Sequence, residues 1–350
     1  MLYPELNAMM MQSGFFDLQE RYQKLSELGD PLEVINRVVK WEVFRPVLKR
    51  ALKKSRKSNA GRKSFDAVLM FKVLVLQSLY NLSDDQTEYQ IRDRFSFLRF
   101  LGLTPESVIP DAKTVWLFRE SLKEAKTIEP LFARFEDSLT GLGYRAQKGT
   151  VIDARIVEVP RQRNTREENQ TLKDGRIPAK WIEQPAKLAQ KDTEARWTRK
   201  NGQNHYGYKN HIAIDVNHKL VRGYAVTPAS VHDSQRFTTL IKAPNTRAAV
   251  WADGAYRSEE HTALLKRRGI ANHVHERPWR DQPLTQAQRQ RNQRRSHIRV
   301  RVEHVFGHQV TAMKQTIVRT IGQARAKVKI GLANLAYNMS RLGQLERLAT

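Results

Sequence analysis

At residue 148 the hydrophobic pattern of this 350-residue chain changes period, and that change constrains its architecture more than any other feature. Before it, apolar residues recur at three- and four-residue spacing with almost no alternating runs, the signature of helices. After it, short runs rich in β-branched and aromatic residues appear, the signature of strands. Residues 1–145 therefore read as an all-α domain and 146–350 as an α/β domain. The length suits two such units, and a hydrophobic content of 40% gives each a core.

In the helical part, Asp30-Pro31 opens a helix through Val34, Val38 and Val47, with Asp30 as the N-cap and Pro31 in the first turn. Ser64 starts an apolar helix through Leu82. Ser83-Asp84-Asp85 caps another from Gln86 to Leu101, and Pro110-Asp111 starts a further one from Ala112 to Ala125. The last two, joined at Gly102-Leu103-Thr104-Pro105, have the layout of a helix-turn-helix-like DNA reader that would present Lys113 and Arg119. Simple bundle packing gives the same layout. Lys53, Lys54, Arg56 and Lys57, followed by Gly61-Arg62-Lys63, form a dense single-sign run that suits phosphate contact as well as a solvated face. The longest apolar stretch, Val68 to Leu76, is broken by Lys72 and falls short of the roughly 18–20 residues that a membrane span needs. No membrane association is expected, and no signal-peptide pattern stands at the N-terminus. With no cysteine, disulfides and Cys-ligated zinc are excluded, and a reducing cytoplasm is suited.

In the second part, strand-like segments fall at 149–158, 205–215, 219–227, 247–252 and 270–275. Helical ones fall at 232–242 and 258–268, from Thr285 to Glu303, and from about Gln323 to Leu345. Three strands in meander, a helix, a strand, a helix, a strand and closing helices is the order of a ribonuclease-H-like domain, a mixed five-stranded sheet flanked by helices. The polar stretch near 160–200 reads as a loop insertion that orders on DNA.

That element order gives meaning to three carboxylates. Asp153 interrupts the apolar run Val151-Ile152-Asp153-Ala154, where a charge is costly unless something compensates it. Asp253 ends the run Val250-Trp251-Ala252, and Glu303 lies in a basic helix. Taken singly, each has an ordinary explanation: a turn or cap for the aspartates, an ion pair with Arg299 for the glutamate. Together, two aspartates on neighbouring strands and a glutamate from a packed helix can hold two Mg²⁺ ions, or Mn²⁺ in their place. Such ions lie about 3.5–4 Å apart in two-metal sites and serve in-line phosphoryl transfer. The charge points the same way. The formal net charge is +25, with 24 Lys+Arg against 19 Asp+Glu before residue 150 and 37 against 17 from there on. The positive field therefore sits over the candidate site, as double-stranded DNA would require.

Other polar groups are weaker candidates. Lys209 and His211, on the second strand, suit phosphate contact or a strand hydrogen bond equally. His232 and Asp233 suit a helix cap or support of the carboxylates from behind. His273 and His275 have the spacing of a metal pair without a third ligand. The run through Arg294, Arg295, Arg299 and Arg301 is too basic for an ordinary solvated face and reads as lying along a DNA backbone.

These segments resemble the DDE transposases of bacterial insertion sequences, specifically the insertion-sequence-five family. The matching residues are Val151-Ile152-Asp153-Ala154 with Val157-Glu158-Val159-Pro160, His205-Tyr206-Gly207-Tyr208-Lys209-Asn210-His211, Thr227 to Ser234, Ala252-Asp253-Gly254-Ala255-Tyr256 and Arg299 to Gly307. Gly61 through Leu122 is similar to that family's helical N-terminal domain. The resemblance implies that Asp153, Asp253 and Glu303 are a catalytic triad binding Mg²⁺. It implies action on terminal inverted repeats and target DNA, with cleavage at the element ends followed by 3′-hydroxyl attack. Pairing two DNA ends implies a homodimer, in the bacterial cytoplasm at the nucleoid. One departure stands out. A related signature has Tyr and Lys on the glutamate helix, where this chain has Ser296 and Val310, leaving Arg295 or Lys314 as substitutes. The competing readings are a nuclease that only hydrolyses and a DNA-binding repressor derived from a transposase.

Overall fold

The computed structural model describes residues 17–52, 64–146, 148–241, 249–279 and 282–349. The basic run at Lys53, Lys54, Arg56 and Lys57 lies outside the described residues. Among those described, the first part holds α1 (Asp17–Glu27), α2 (Pro31–Val38), α3 (Arg45–Ala51), α4 (Ala67–Tyr80), α5 (Asp84–Asp93), α6 (Phe95–Leu101), α7 (Ala112–Glu124) and α8 (Ile128–Gly141). Asp30 caps α2 through the Leu32 amide, with Pro31 in the first turn. Asp66, not Ser64, caps α4, because its carboxylate reaches the amides of both Val68 and Leu69. Ser83 and Gln86 form a full capping box at the start of α5. The single helix expected from Gln86 to Leu101 is two, broken at Arg94, whose extended backbone ends α5 and begins α6. α4 is apolar on all sides and buried, and Lys72 within it spends its ammonium on Asn36 Oδ1 and the Phe100 carbonyl.

The second part holds β1 (Thr150–Glu158), α9 (Arg166–Lys173), α10 (Ala179–Ile182), α11 (Pro185–Leu188), β2 (Arg196–Lys200), β3 (Gln203–Asp215), β4 (Val221–Pro228), α12 (Phe237–Leu240), β5 (Ala249–Ala252), α13 (Glu259–Arg267), β6 (Ala271–Val274), α14 (Gln286–Thr311) and α15 (Gln323–Ala349). β4, β3 and β1 form an antiparallel meander, and β5 and β6 continue it parallel to β1. This is the ribonuclease-H-like sheet with one strand more than the five expected. β2 pairs with the start of β3 on the edge that β4 occupies further along. The stretch 160–200 is folded without DNA, contrary to expectation. A Thr165–Glu168 capping box starts α9, Trp181 is fully buried, and buried Asp192 accepts from the Tyr208 hydroxyl and the Gly322 amide.

Strand alternation sorts the sheet's two faces. Val151, Ile212 and Ile214 join Val302 and Val305 of α14, whereas Ile152, Ala213 and Val250 join Phe237, Tyr256 and Leu265 on the opposite side. The larger core does not stop at the sheet. α15 packs on α4, α2, α8 and α7 as well as on β4, so one hydrophobic cluster runs from Leu32 to Leu342. Gly331 permits the close approach to β4, since a Cβ there would lie 2.5 Å from the Tyr224 hydroxyl. Polar side chains fix α15 in register. Asn334 and Asn210 exchange hydrogen bonds, and the Asn338 amide pairs with both the N–H and the C=O of Val221.

Candidate active site

The parallel register of β1 and β5 brings the two aspartates together. Thr150 faces Val250, Val151 faces Trp251 and Ile152 faces Ala252, so Asp153 and Asp253 are the next residues on adjacent strands. Asp253 ends its strand by capping a short 3₁₀ turn, accepting from the Ala255 amide at 2.8 Å. Asp153 stays within β1, opposite Ile212, and points to the face that α14 covers. Its Oδ1 accepts from the Ala154 amide at 2.7 Å and its Oδ2 from Arg299 Nη1 at 3.0 Å. The same guanidinium donates to Glu303 Oε1 at 2.5 Å, one turn along α14. Arg299 thus bridges the strand carboxylate and the helix carboxylate.

Electrostatics follows from this packing. Burial pushes the Asp153 carboxyl up to about 6, and the negative charge of Asp253 adds to the rise. The Ala154 amide, Arg299 and Lys200 pull the other way. Burial also holds the Tyr256 phenol well above its ordinary range, and Asp153, Asp233 and Asp253 reinforce that. The Tyr256 hydroxyl is buried and has no hydrogen-bond partner among the described residues. Its phenol feels the charge of three carboxylates and has a donor to give.

The donor set suits a hard divalent cation: three carboxylates, no thiol, two of the carboxylates already sharing a cationic group. Among the described residues, however, no three acidic or imidazole side chains are gathered closely enough to hold a metal as they stand. Arg299 is the cation that the strand and helix carboxylates share, and Glu303, 49% exposed, is the carboxylate with room to move.

The remaining sequence candidates separate cleanly. Arg119 is not available to DNA. It is buried in α7 and donates to both carboxylate oxygens of Asp84 and to Gln77, because its position falls on the apolar face with Val115, Phe118 and Leu122. Lys113 on the same helix is exposed. His211 is also withdrawn from DNA: it has no exposed surface, bonds Thr227 Oγ1 at 2.8 Å, and burial pushes its pKa down to about 4. Lys209 is turned inward to the Val231 carbonyl and Asp233. His232 caps the turn that follows through the Ser234 amide, and the helix expected at 232–242 is a 3₁₀ turn and one α-helical turn. His273 stacks on Trp251 at 4.8 Å, and His275 lies 3.4 Å from Ser296, so the pair does not converge. Arg295 is engaged by the Val274 carbonyl and Glu276, whereas Arg294 is exposed. Lys314 lies past the end of α14, its carbonyl held by Asn81. Lys200, at the tip of the β2–β3 hairpin, was not singled out by sequence. Its charge reaches Asp153, and its ammonium makes no ion pair among the described residues.

Residues 144–339 match the family model described as the transposase DDE domain, and residues 19–121 match one described as a transposase domain (DUF772). A solved structure described as a cryo-EM structure of the piggyBac transposase synaptic complex with hairpin DNA is similar over 91% of this chain and 73% of its own. It has 12% sequence identity and a TM-score of 0.44.

Proposed function

The chain belongs to the transposase DDE domain family, and from that premise we propose that it is an insertion-sequence transposase acting on the ends of its own element. It cleaves DNA at the terminal inverted repeats and joins the freed 3′-hydroxyl ends to target DNA. The observation that carries this reading is the register of β1 and β5, which makes Asp153 and Asp253 neighbours beneath a helix that offers Glu303. The helical residues 1–145 serve DNA binding and dimerisation, and a homodimer pairs the two ends.

Asp153, Asp253 and Glu303 would hold two Mg²⁺ ions, or Mn²⁺, which supply charge neutralisation at the phosphate and activation of the attacking oxygen. The chain's own groups do the rest. Val151 and Ile152 seat β1 in two cores, so Asp153 cannot swing away. Tyr256, whose buried hydroxyl has no hydrogen-bond partner among the described residues, would supply a donor to orient the aspartate pair, and Lys209 holds Asp233. Arg299, released from Glu303, turns its guanidinium to the phosphate. Catalysis is then positioning and electrostatics, with no covalent protein intermediate.

The test is Mg²⁺-dependent cleavage and strand transfer on DNA carrying the element's ends, comparing the unaltered protein with Asp253→Asn. Loss of both products with DNA binding retained is expected. Equal activity in the two proteins would remove the carboxylates from the chemistry. Nicked product without joined product would favour a hydrolytic nuclease instead.

A further inference from the structure

The turn between β3 and β4 carries a second cationic group that no part of the proposed chemistry uses. Lys219, at φ +60°, places its Nζ 2.9 Å from Nδ1 of His304. His304 is the residue after Glu303, so it lies about 100° further round α14. Two arginines flank the pair. Arg301, on the same helix, donates to the Val216 carbonyl, and Arg341 of α15 donates from Nε to the His218 carbonyl at 2.8 Å. The Tyr337 hydroxyl holds the Lys219 carbonyl at 3.0 Å. Backbone bonds from three side chains therefore fix a short turn on which cations converge from β3–β4, α14 and α15.

Among the described residues, no carboxylate forms an ion pair with Lys219, Arg301 or Arg341. Burial holds the Lys219 pKa below the usual lysine range, and the charges of Arg341 and Arg301 lower it further. The acid of the turn, Asp215, faces inward. Its side chain is fully buried and spends itself on Arg222 Nε at 3.0 Å and on the amides of His218 and Leu220. Glu303, the nearest acid on α14, is turned to Arg299. A group of like charges kept together by backbone anchoring is repulsive by itself and is relieved by a polyanion.

We propose that Lys219, His304, Arg301 and Arg341 form a cradle for the phosphodiester backbone of duplex DNA, displaced about a quarter turn of α14 from the reacting centre. The inference rests on the reading that DNA is the substrate and adds where the duplex is gripped beyond the scissile phosphate. The cradle acts without metal, since none of its members is a triad carboxylate.

The experiment is fluorescence anisotropy of a labelled duplex with EDTA present, titrated at several salt concentrations. The unaltered 350-residue protein is compared with Lys219→Gly and Lys219→Arg. Glycine suits the left-handed backbone at this position, so the first variant removes the charge without straining the turn. Its thermal midpoint should match or exceed that of the unaltered protein. The slope of log affinity against log salt should fall in magnitude by about 0.9, the release from one phosphate contact, and Lys219→Arg should restore it. Duplex bound with the same affinity and slope by Lys219→Gly would overturn the cradle and leave the transposase reading standing. Failure of the unaltered protein to bind duplex DNA at all would overturn both.

Discussion

Arg299 lies 3.0 Å from Asp153, and the contact joins the central strand of the sheet to the helix that brings Glu303. It places a positive charge between the strand carboxylate and the helix carboxylate. It also sets the arginine in competition with any divalent ion for the same oxygens.

Replacing Arg299 with Gln should expose that competition. Without metal, the two carboxylates lose their shared partner and the protein loses about 1–2 kcal/mol, since the pair is only partly buried. Saturating Mg²⁺ should then raise the thermal midpoint more in the variant than in the unaltered protein. Calorimetric scans with and without Mg²⁺ check this, and equal metal-induced gains would refute it.

Asp153 gives a pH dependence of known sign. Its folded pKa of about 6 lies above the ordinary 3.8, so the folded state holds the proton more tightly than the unfolded one. Its ionisation therefore costs stability, nothing near pH 4 and the full amount above about pH 6. At 1.36 kcal/mol per pKa unit, Asp153→Asn should stabilise the metal-free protein by at most about 3 kcal/mol at pH 7–8 and leave it unchanged near pH 4. Denaturant titrations at the two pH values decide the matter.

Arg119 should behave as a structural residue. Its bidentate pair with Asp84 ties α7 to α5, and Gln77 brings in α4. Arg119→Ala strands a mostly buried carboxylate and should cost about 3 kcal/mol or more in urea unfolding. The salt dependence of DNA binding by the folded fraction should not change. A shallower slope would return Arg119 to the DNA surface.

The insertion should resist trypsin before any DNA is added, despite its many lysines and arginines. Trp181, fully buried and donating from Nε1 to Glu168 at 2.7 Å, is its anchor. Trp181→Ala should cost about 3–5 kcal/mol locally and open cleavage sites between 161 and 200 while β1 stays protected. Mass spectrometry of the fragments locates the cuts.

Much of this structure could be read from the chain. The change of period at 148 marked where helices give way to β1, and caps such as Ser83, Asp111, Ser258 and Thr285 are used as caps. The interruption of an apolar strand by Asp153 singled it out before any register was known. What escaped was decided by tertiary contact. β2 has the sequence Arg-Trp-Thr-Arg-Lys and no apolar alternation; it is a strand because the edge of β3 is there to pair with. Arg119 and Lys209 look like surface cations, yet burial positions are set by neighbours, and here Asp84 and Asp233 supply them. The Thr165-x-x-Glu168 box was a legible signal for α9 that charge density in the surrounding stretch obscured.

The placement of α15 bears on how the protein is made. Residues from Leu32 onward cannot complete their core until Leu335, Met339 and Leu342 arrive, some 300 positions later in synthesis. Contacts of such sequence separation form late and slowly. An emerging chain therefore holds a helical half with an open core until α15 has left the ribosome, so this core closes in one late step rather than helix by helix.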